Sequence, residues 1–278
     1  MSQIVETFAS DGILTVRINR PEARNVLSID LMKELTDIAR RLQDEADTRA
    51  VILTASGTDF TAGADLKDPK RWNHDAGTLA EQRAFPLIGE RMCQAWEDIP
   101  ALTICAVEGH CIGGGVALAA STDFRIIGAS GYFWLPEVAL GIPLSWGALP
   151  RLVNMLGAAK AKRFIALCEK LVGKEALDFG LADYLAADGQ TYAEAFKLAH
   201  RIAELPDVSV KMSKEAINVT ANALNRLASF MARDQMALAA QSGEAVAARA
   251  KFASRKKRPS ASENSQSGAI RDDRCKQK

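Results

Sequence analysis

Three consecutive glycines, Gly113, Gly114 and Gly115, follow a short apolar run at 102–107 in this 278-residue chain. A glycine inside a helix costs about 1 kcal/mol relative to alanine, so the cluster needs a local reason. One reason is close approach: without Cβ atoms, the N–H groups that open a helix can lie against a ligand oxygen. The other is a tight strand-to-helix turn packed against its neighbours. A second stretch bears on the choice, because Phe60-Thr-Ala-Gly-Ala-Asp65 also places a glycine just after a run that reads as a buried strand. Two such loops could present two convergent N–H donors, as an enolate or a tetrahedral oxyanion requires. His110 and Cys111 stand beside the glycines. A Cys–His nucleophile using Cys111 or Cys93 is chemically possible, but nothing in the spacing favours it, and cysteine is commonly a small buried hydrophobe. His110 itself reads either as a satisfied core residue or as a group that lines a pocket.

Those loops need a scaffold. Apolar runs at 4–8 and 13–18 flank Asp11-Gly12, a hairpin signal. In the second run Leu14, Val16 and Ile18 alternate with Thr15, Arg17 and Asn19, so one face is half exposed. Ser28 caps a helix whose apolar positions Leu31, Leu35, Ile38 and Leu42 follow helical spacing. Residues 50–54 and 102–107 read as buried strands, with a polar loop from Lys67 to Thr78 and a helix from about 79 to 98 between them. A strand at 124–128 follows, then a loop broken by Pro136, Gly141 and Pro143. Beyond residue 147 the pattern is helical, apart from a short strand at 184–186. Helices and strands in this alternation predict an α/β layer with a parallel sheet.

Composition narrows the function. A net charge of +1 gives no electrostatic case for nucleic acid or a membrane surface. Five cysteines show neither a CxxC pair nor metal-type spacing with the three histidines, so reduced thiols and no metal are expected. No apolar run approaches the roughly 18 residues of a membrane span, and the first residues lack a signal-peptide pattern; a cytoplasmic protein is expected. The run Arg255-Lys-Lys-Arg-Pro, followed by Ser-rich sequence, has the composition of a disordered tail.

Taken together, Arg20-Pro-Glu-Ala-Arg-Asn25, Phe60-Thr-Ala-Gly-Ala-Asp-Leu66, Val107-Glu-Gly with Gly113–Gly115, Ala120-Ser-Thr-Asp123, Leu135-Pro-Glu-Val-Ala-Leu-Gly141 and Glu175-Ala with Gly180-Leu-Ala-Asp183 resemble the crotonase (enoyl-CoA hydratase/isomerase) superfamily. The resemblance covers roughly residues 4 to 258. It implies a spiral of ββα units over 1–200 and a helical trimerisation region over 201–256, ahead of a tail at 257–278. It also implies an acyl-CoA or enoyl-CoA thioester as substrate, no cofactor beyond that coenzyme, and assembly as a homotrimer or a dimer of trimers.

The same resemblance assigns roles. The two oxyanion-hole N–H groups fall on Ala64 and Gly114, and the acid/base on Glu137, which without the family would read as a loop carboxylate facing water. The position of a second hydratase-type glutamate holds Ala117, and that of a further aspartate in some relatives holds Ser145. One carboxylate suffices for moving a double bond, since a single base can take a proton at C2 and return it at C4. An isomerase is therefore favoured slightly over a hydratase. A thioester hydrolase or lyase, or a fold that binds acyl-CoA without catalysis, are the alternatives. Coenzyme A is expected along Ala23, Arg24, Val26, Ala62 and Leu66, with Phe252 and Arg255 reaching the nucleotide unless they form only a solvated face. Asp65 belongs to that wall and, like Asp123, reads as structural. Gly113, His110, Trp134 and Trp146 complete the expected pocket, the two tryptophans shortening it. Trp72 either closes over the acyl chain or anchors its loop.

Overall fold

Strands β1 (Val5–Ser10), β2 (Ile13–Ile18), β3 (Ala50–Ala55), β4 (Leu102–Val107), β6 (Phe124–Gly128) and β9 (Tyr184–Ala186) lie side by side in that order in a computed structural model. The structure describes residues 3–72, 78–84, 87–225, 229 and 232–255. β1 and β2 pair antiparallel across Asp11-Gly12, both at positive φ, and all later pairs in this sheet are parallel. The central strands bury both faces, which is why they read as unbroken apolar runs. Val51, Leu53, Cys105 and Val107 face one core with helices α1 (Ile29–Asp44) and α4 (Leu87–Glu97). Their neighbours Ala50, Ile52, Ile104 and Ala106 face a second core under helix α8 (Thr191–Ala203).

Capping follows the sequence. The Leu31 N–H donates to the Ser28 hydroxyl, and Leu31, Leu35, Ile38 and Leu42 are all buried. Within the predicted 79–98 helix the structure describes α3 (Leu79–Ala84) and α4, and Phe85-Pro86 lie outside the described residues. The Lys67–Thr78 loop contains a helical turn, α2 (Pro69–Trp72), while residues 73–77 and the Trp72 side chain lie outside what is described.

A second, three-stranded sheet of β5 (His110–Ile112), β7 (Tyr132–Trp134) and β8 (Leu171–Val172) had no counterpart in the sequence reading. β5 runs into helix α5 (Gly114–Ala119), so two of the three glycines are helical and only Gly113 forms the turn, at φ 56°. C-terminal to the sheets come α6 (Ala148–Ala166), α7 (Gly173–Phe179), α9 (Asp207–Ala221), α10 (Ala232–Ala240) and α11 (Gly243–Arg255). α9 is pinned to the sheet by the buried Lys214, whose ammonium pairs with Asp123 at 2.6 Å and donates to the Ala101 carbonyl. The expected tail at 257–278 lies outside the described residues. Among the described residues no helix is long and apolar enough to cross a membrane.

Candidate active site

Asn25 holds the first wall of the site together. It is fully buried at φ 52°, a left-handed conformation that asparagine tolerates better than most residues. Its side-chain amide donates to the Ser56 and Asp59 carbonyls, and its Oδ1 accepts from the Arg20 N–H. Its own carbonyl accepts from the Thr61 hydroxyl at 2.6 Å. The residues around it, Ala23, Arg24 and Val26, line a cleft of about 770 Å³. The sequence reading placed Asn25 in a motif without giving it this task.

The second wall is built by strand-like pairing at two isolated bridges. Thr61 pairs with Cys111: the Thr61 N–H donates to the His110 carbonyl, and the Ile112 N–H to the Thr61 carbonyl. Leu27 pairs with Ala64 through the Gly63 carbonyl and the Asp65 N–H. A parallel bridge of this kind uses the groups on either side of Ala64 and leaves its own N–H unused. Gly63, at φ 90°, lets the two loops touch; a Cβ there would lie 2.8 Å from the Ile112 carbonyl oxygen.

Gly114 is the first residue of α5, where an N–H has no acceptor within the helix. Among the described residues no hydrogen bond uses the N–H of Ala64 or of Gly114, whereas that of Gly113 donates to the Trp134 carbonyl at 2.8 Å. Both unused donors belong to residues that line the cleft.

Glu137 lines the same cleft. A Cβ on Gly113 would lie 3.0 Å from Glu137 Oε1, so the carboxylate rests against the glycine turn. Its Oε2 is buried, and among the described residues it has no hydrogen-bond partner. Burial pushes the carboxyl up to about 7, with its own backbone N–H opposing the shift. The Glu137 carbonyl accepts from the N–H groups of Leu140 and Ile142, which fixes the turn from which the side chain projects. Gly141, at φ 73°, leaves room for the buried Ala245 of α11 to pack on that turn.

Ala62, Asp65, Leu66, Trp134, Ser145 and Trp146 also line the cleft, as does Ala117 at the position without a carboxylate. Asp65 lies 3.6 Å from the Arg20 guanidinium, and Arg24 Nε donates to Asp59 at 2.8 Å. His110 is not part of the cleft wall. Its ring packs on Tyr132 at 4.5 Å, and its Nδ1 lies 2.9 Å from Asp59 Oδ1 without hydrogen-bond geometry. Tyr132, which the sequence reading passed over, lines the cleft in its place. The Lys170 ammonium covers the rings of Tyr132 and Trp134 at 4.7 and 4.9 Å. Phe252 and Arg255 lie on α11, but their side chains are outside what is described.

A buried ion pair holds the loop that carries Trp146. Arg151, 5% exposed, donates to the Gly147 carbonyl at 3.0 Å and contacts that of Trp146 at 3.5 Å. Its guanidinium also pairs with Glu97, which accepts from the Asn222 amide. Removing one partner of such a pair leaves an uncompensated buried charge, at a cost of about 3–5 kcal/mol. The loop carrying Trp146 is therefore fixed to α4. The cleft therefore offers two unused N–H donors and one buried carboxyl, groups whose chemistry suits a carbonyl oxygen and a proton transfer.

A family model described as enoyl-CoA hydratase/isomerase matches residues 9–259. A short-chain-enoyl-CoA hydratase of Clostridium acetobutylicum is 34% identical over 207 residues, 74% of this chain and 77% of the relative. A crotonyl-CoA hydratase of Syntrophomonas wolfei is 32% identical over 209 residues, 75% of this chain and 78% of the relative. Among solved structures, an enoyl-CoA hydratase/isomerase of Pseudoalteromonas atlantica superposes with a TM-score of 0.80 at 27% identity. That match covers 91% of this chain and 98% of the other, and it makes the fold crotonase-like.

Proposed function

The chain belongs to the enoyl-CoA hydratase/isomerase family, and from that premise we propose that it shifts a double bond in an enoyl-CoA thioester with Glu137 as its single acid/base. The N–H groups of Ala64 and Gly114 hold the thioester oxygen. Glu137 takes a proton from C2, the electron pair moves onto that oxygen as an enolate, and the same carboxyl returns the proton at C4. A group with its pKa near 7 suits both halves of that transfer at neutral pH. The observation that carries this reading is the buried Glu137 carboxyl, its Oε1 against the glycine turn and its Oε2 without a hydrogen-bond partner among the described residues, with Ala117 in place of a second carboxylate. The coenzyme lies along Ala23, Arg24, Val26 and Leu66, where the Arg24 guanidinium can meet a phosphate.

Hydration on Glu137 alone is the second reading. The names of the relatives from Clostridium and Syntrophomonas, both hydratases, favour it. Water addition then requires the one carboxylate to deprotonate water and afterwards protonate the α-carbon. The test is a panel of enoyl-CoA thioesters assayed separately for double-bond migration, hydration and hydrolysis. Migration is expected to be fastest; faster hydration on every thioester would establish the second reading, and hydrolysis alone would sink both.

Assembly is part of the proposal. α9 exposes Val208, Met212 and Val219, each about two-thirds accessible, on a segment of the expected trimerisation region. That much apolar surface is covered at low cost by further copies of the chain. Light scattering at micromolar concentration is expected to give a multiple of three chain masses, and a monomer mass would refute the assembly.

A further inference from the structure

Trp146 stands in a slot made by two glycines far apart in sequence. A Cβ on Gly114 would lie 2.2 Å from the indole Cζ3, and one on Gly89 would lie 2.1 Å from Cε2. The benzene edge therefore rests on the Cα of Gly114, while the pyrrole side rests on the Cα of Gly89 in α4. Gly114 and Trp146 line the cleft, but Gly89 is buried and does not. The indole thus separates the cleft from α4. Its backbone is held in an unusual state: Trp146 has φ 60° and Gly147 φ 67°, and both carbonyls face the Arg151 guanidinium. A bulky residue at positive φ is uncommon, so the surroundings must over-determine it. Leu140, Ile142, Leu144 and Ala117 add apolar side chains to the same cleft, alongside Ser145 and Glu137.

We propose that Trp146 is the end wall of the acyl pocket and confines the substrate to short acyl groups, a specificity role that rests on the acyl-CoA reading above. Two glycines flank the ring, and neither carries a side chain that could fill its place, so removing the indole opens the cleft toward α4. A wall of this kind sets chain length through volume and leaves the oxyanion donors and Glu137 where they are.

Binding is the appropriate readout, because saturated thioesters report on the pocket without turnover. Butyryl-, octanoyl- and dodecanoyl-CoA would be titrated calorimetrically into the wild type, Trp146→Ala and Trp146→Leu, with circular dichroism to verify folding. In the wild type, octanoyl-CoA is expected to bind no more tightly than butyryl-CoA. In the variants the ratio of octanoyl to butyryl affinity is expected to rise at least about tenfold, as added methylenes become buried. Trp146→Leu keeps part of the core packing and serves if the alanine variant does not fold. Gly89→Ala should weaken butyryl-CoA in the wild type by forcing the ring toward the cleft, yet have little effect when combined with Trp146→Ala. An unchanged octanoyl-to-butyryl ratio in a folded Trp146 variant overturns the wall. Failure of every thioester to bind the wild type would instead overturn the acyl-CoA reading, and the wall with it.

Discussion

Glu137→Gln is expected to lower turnover of the best thioester by roughly two to four decades, the usual contribution of a positioned acid/base. Affinity should change little, because the coenzyme wall proposed along Ala23, Arg24 and Val26 does not include Glu137. Incubation of the wild type with a saturated acyl-CoA in deuterated water should exchange α-hydrogens, and the glutamine variant should not. The pH profile supplies an independent sign. Proton removal needs the carboxylate, so kcat/KM for the wild type should rise with pH through about 7 and level off above it. Stability should move the opposite way. An exposed glutamate titrates near 4.3, so the folded protein holds an extra proton between that value and about 7. The stabilisation from keeping this carboxyl neutral is fully present below the unfolded value and is lost as pH rises through the folded one. Glu137→Gln removes that dependence, and above pH 8 the inactive variant should melt no lower than the wild type. Full activity of Glu137→Gln with every thioester would end the single-base mechanism. Ala117→Glu, which adds a second carboxylate to the cleft lining, should raise hydration relative to migration if the cleft admits water.

What could be read in advance divides by length scale. The six-stranded sheet was legible because its strands bury both faces and so leave runs such as Ala50–Ala55 in the sequence. α1 was legible from its cap and its apolar spacing. The small sheet was not: β5, β7 and β8 are two or three residues long, too short for alternation to register. That sheet carries much of the site's geometry. It puts Ile112 beside Trp134, turns Gly113 back onto Glu137, and places Tyr132 rather than His110 on the cleft. Asn25 illustrates a different limit. Its importance lies in hydrogen bonds to residues 31 and 34 positions away, and such partners leave no periodicity. Trp146 shows a third: a residue at positive φ, wedged between glycines 57 and 32 positions away, has no local signature at all. Glu137 and the two backbone donors came only through resemblance, since composition gives a lone carboxylate no task.

Gly114→Pro separates the donor from its surroundings more cleanly than it would in most places. Proline is favoured at the first position of a helix, where the missing N–H has no helical partner, and Gly114 occupies that position. Its added carbons are another matter, because any Cβ there meets the Trp146 ring at 2.2 Å. Gly114→Ala carries the same collision while keeping the N–H. The informative comparison is therefore proline against alanine, made in the Trp146→Ala background where the collision is gone. Loss of one preset donor in an oxyanion hole typically lowers kcat by about 10²–10³. The proline form should fall at least about a hundredfold below the alanine form in kcat, with KM changed far less, since the donor bonds most strongly to the enolate oxygen. Circular dichroism must show the same helical content in both. Equal turnover of the two folded variants would mean that the Gly114 N–H never meets the reacting oxygen. The carbonyl would then have to lie elsewhere in the cleft, and the facing of Glu137 toward the glycine turn would need another purpose.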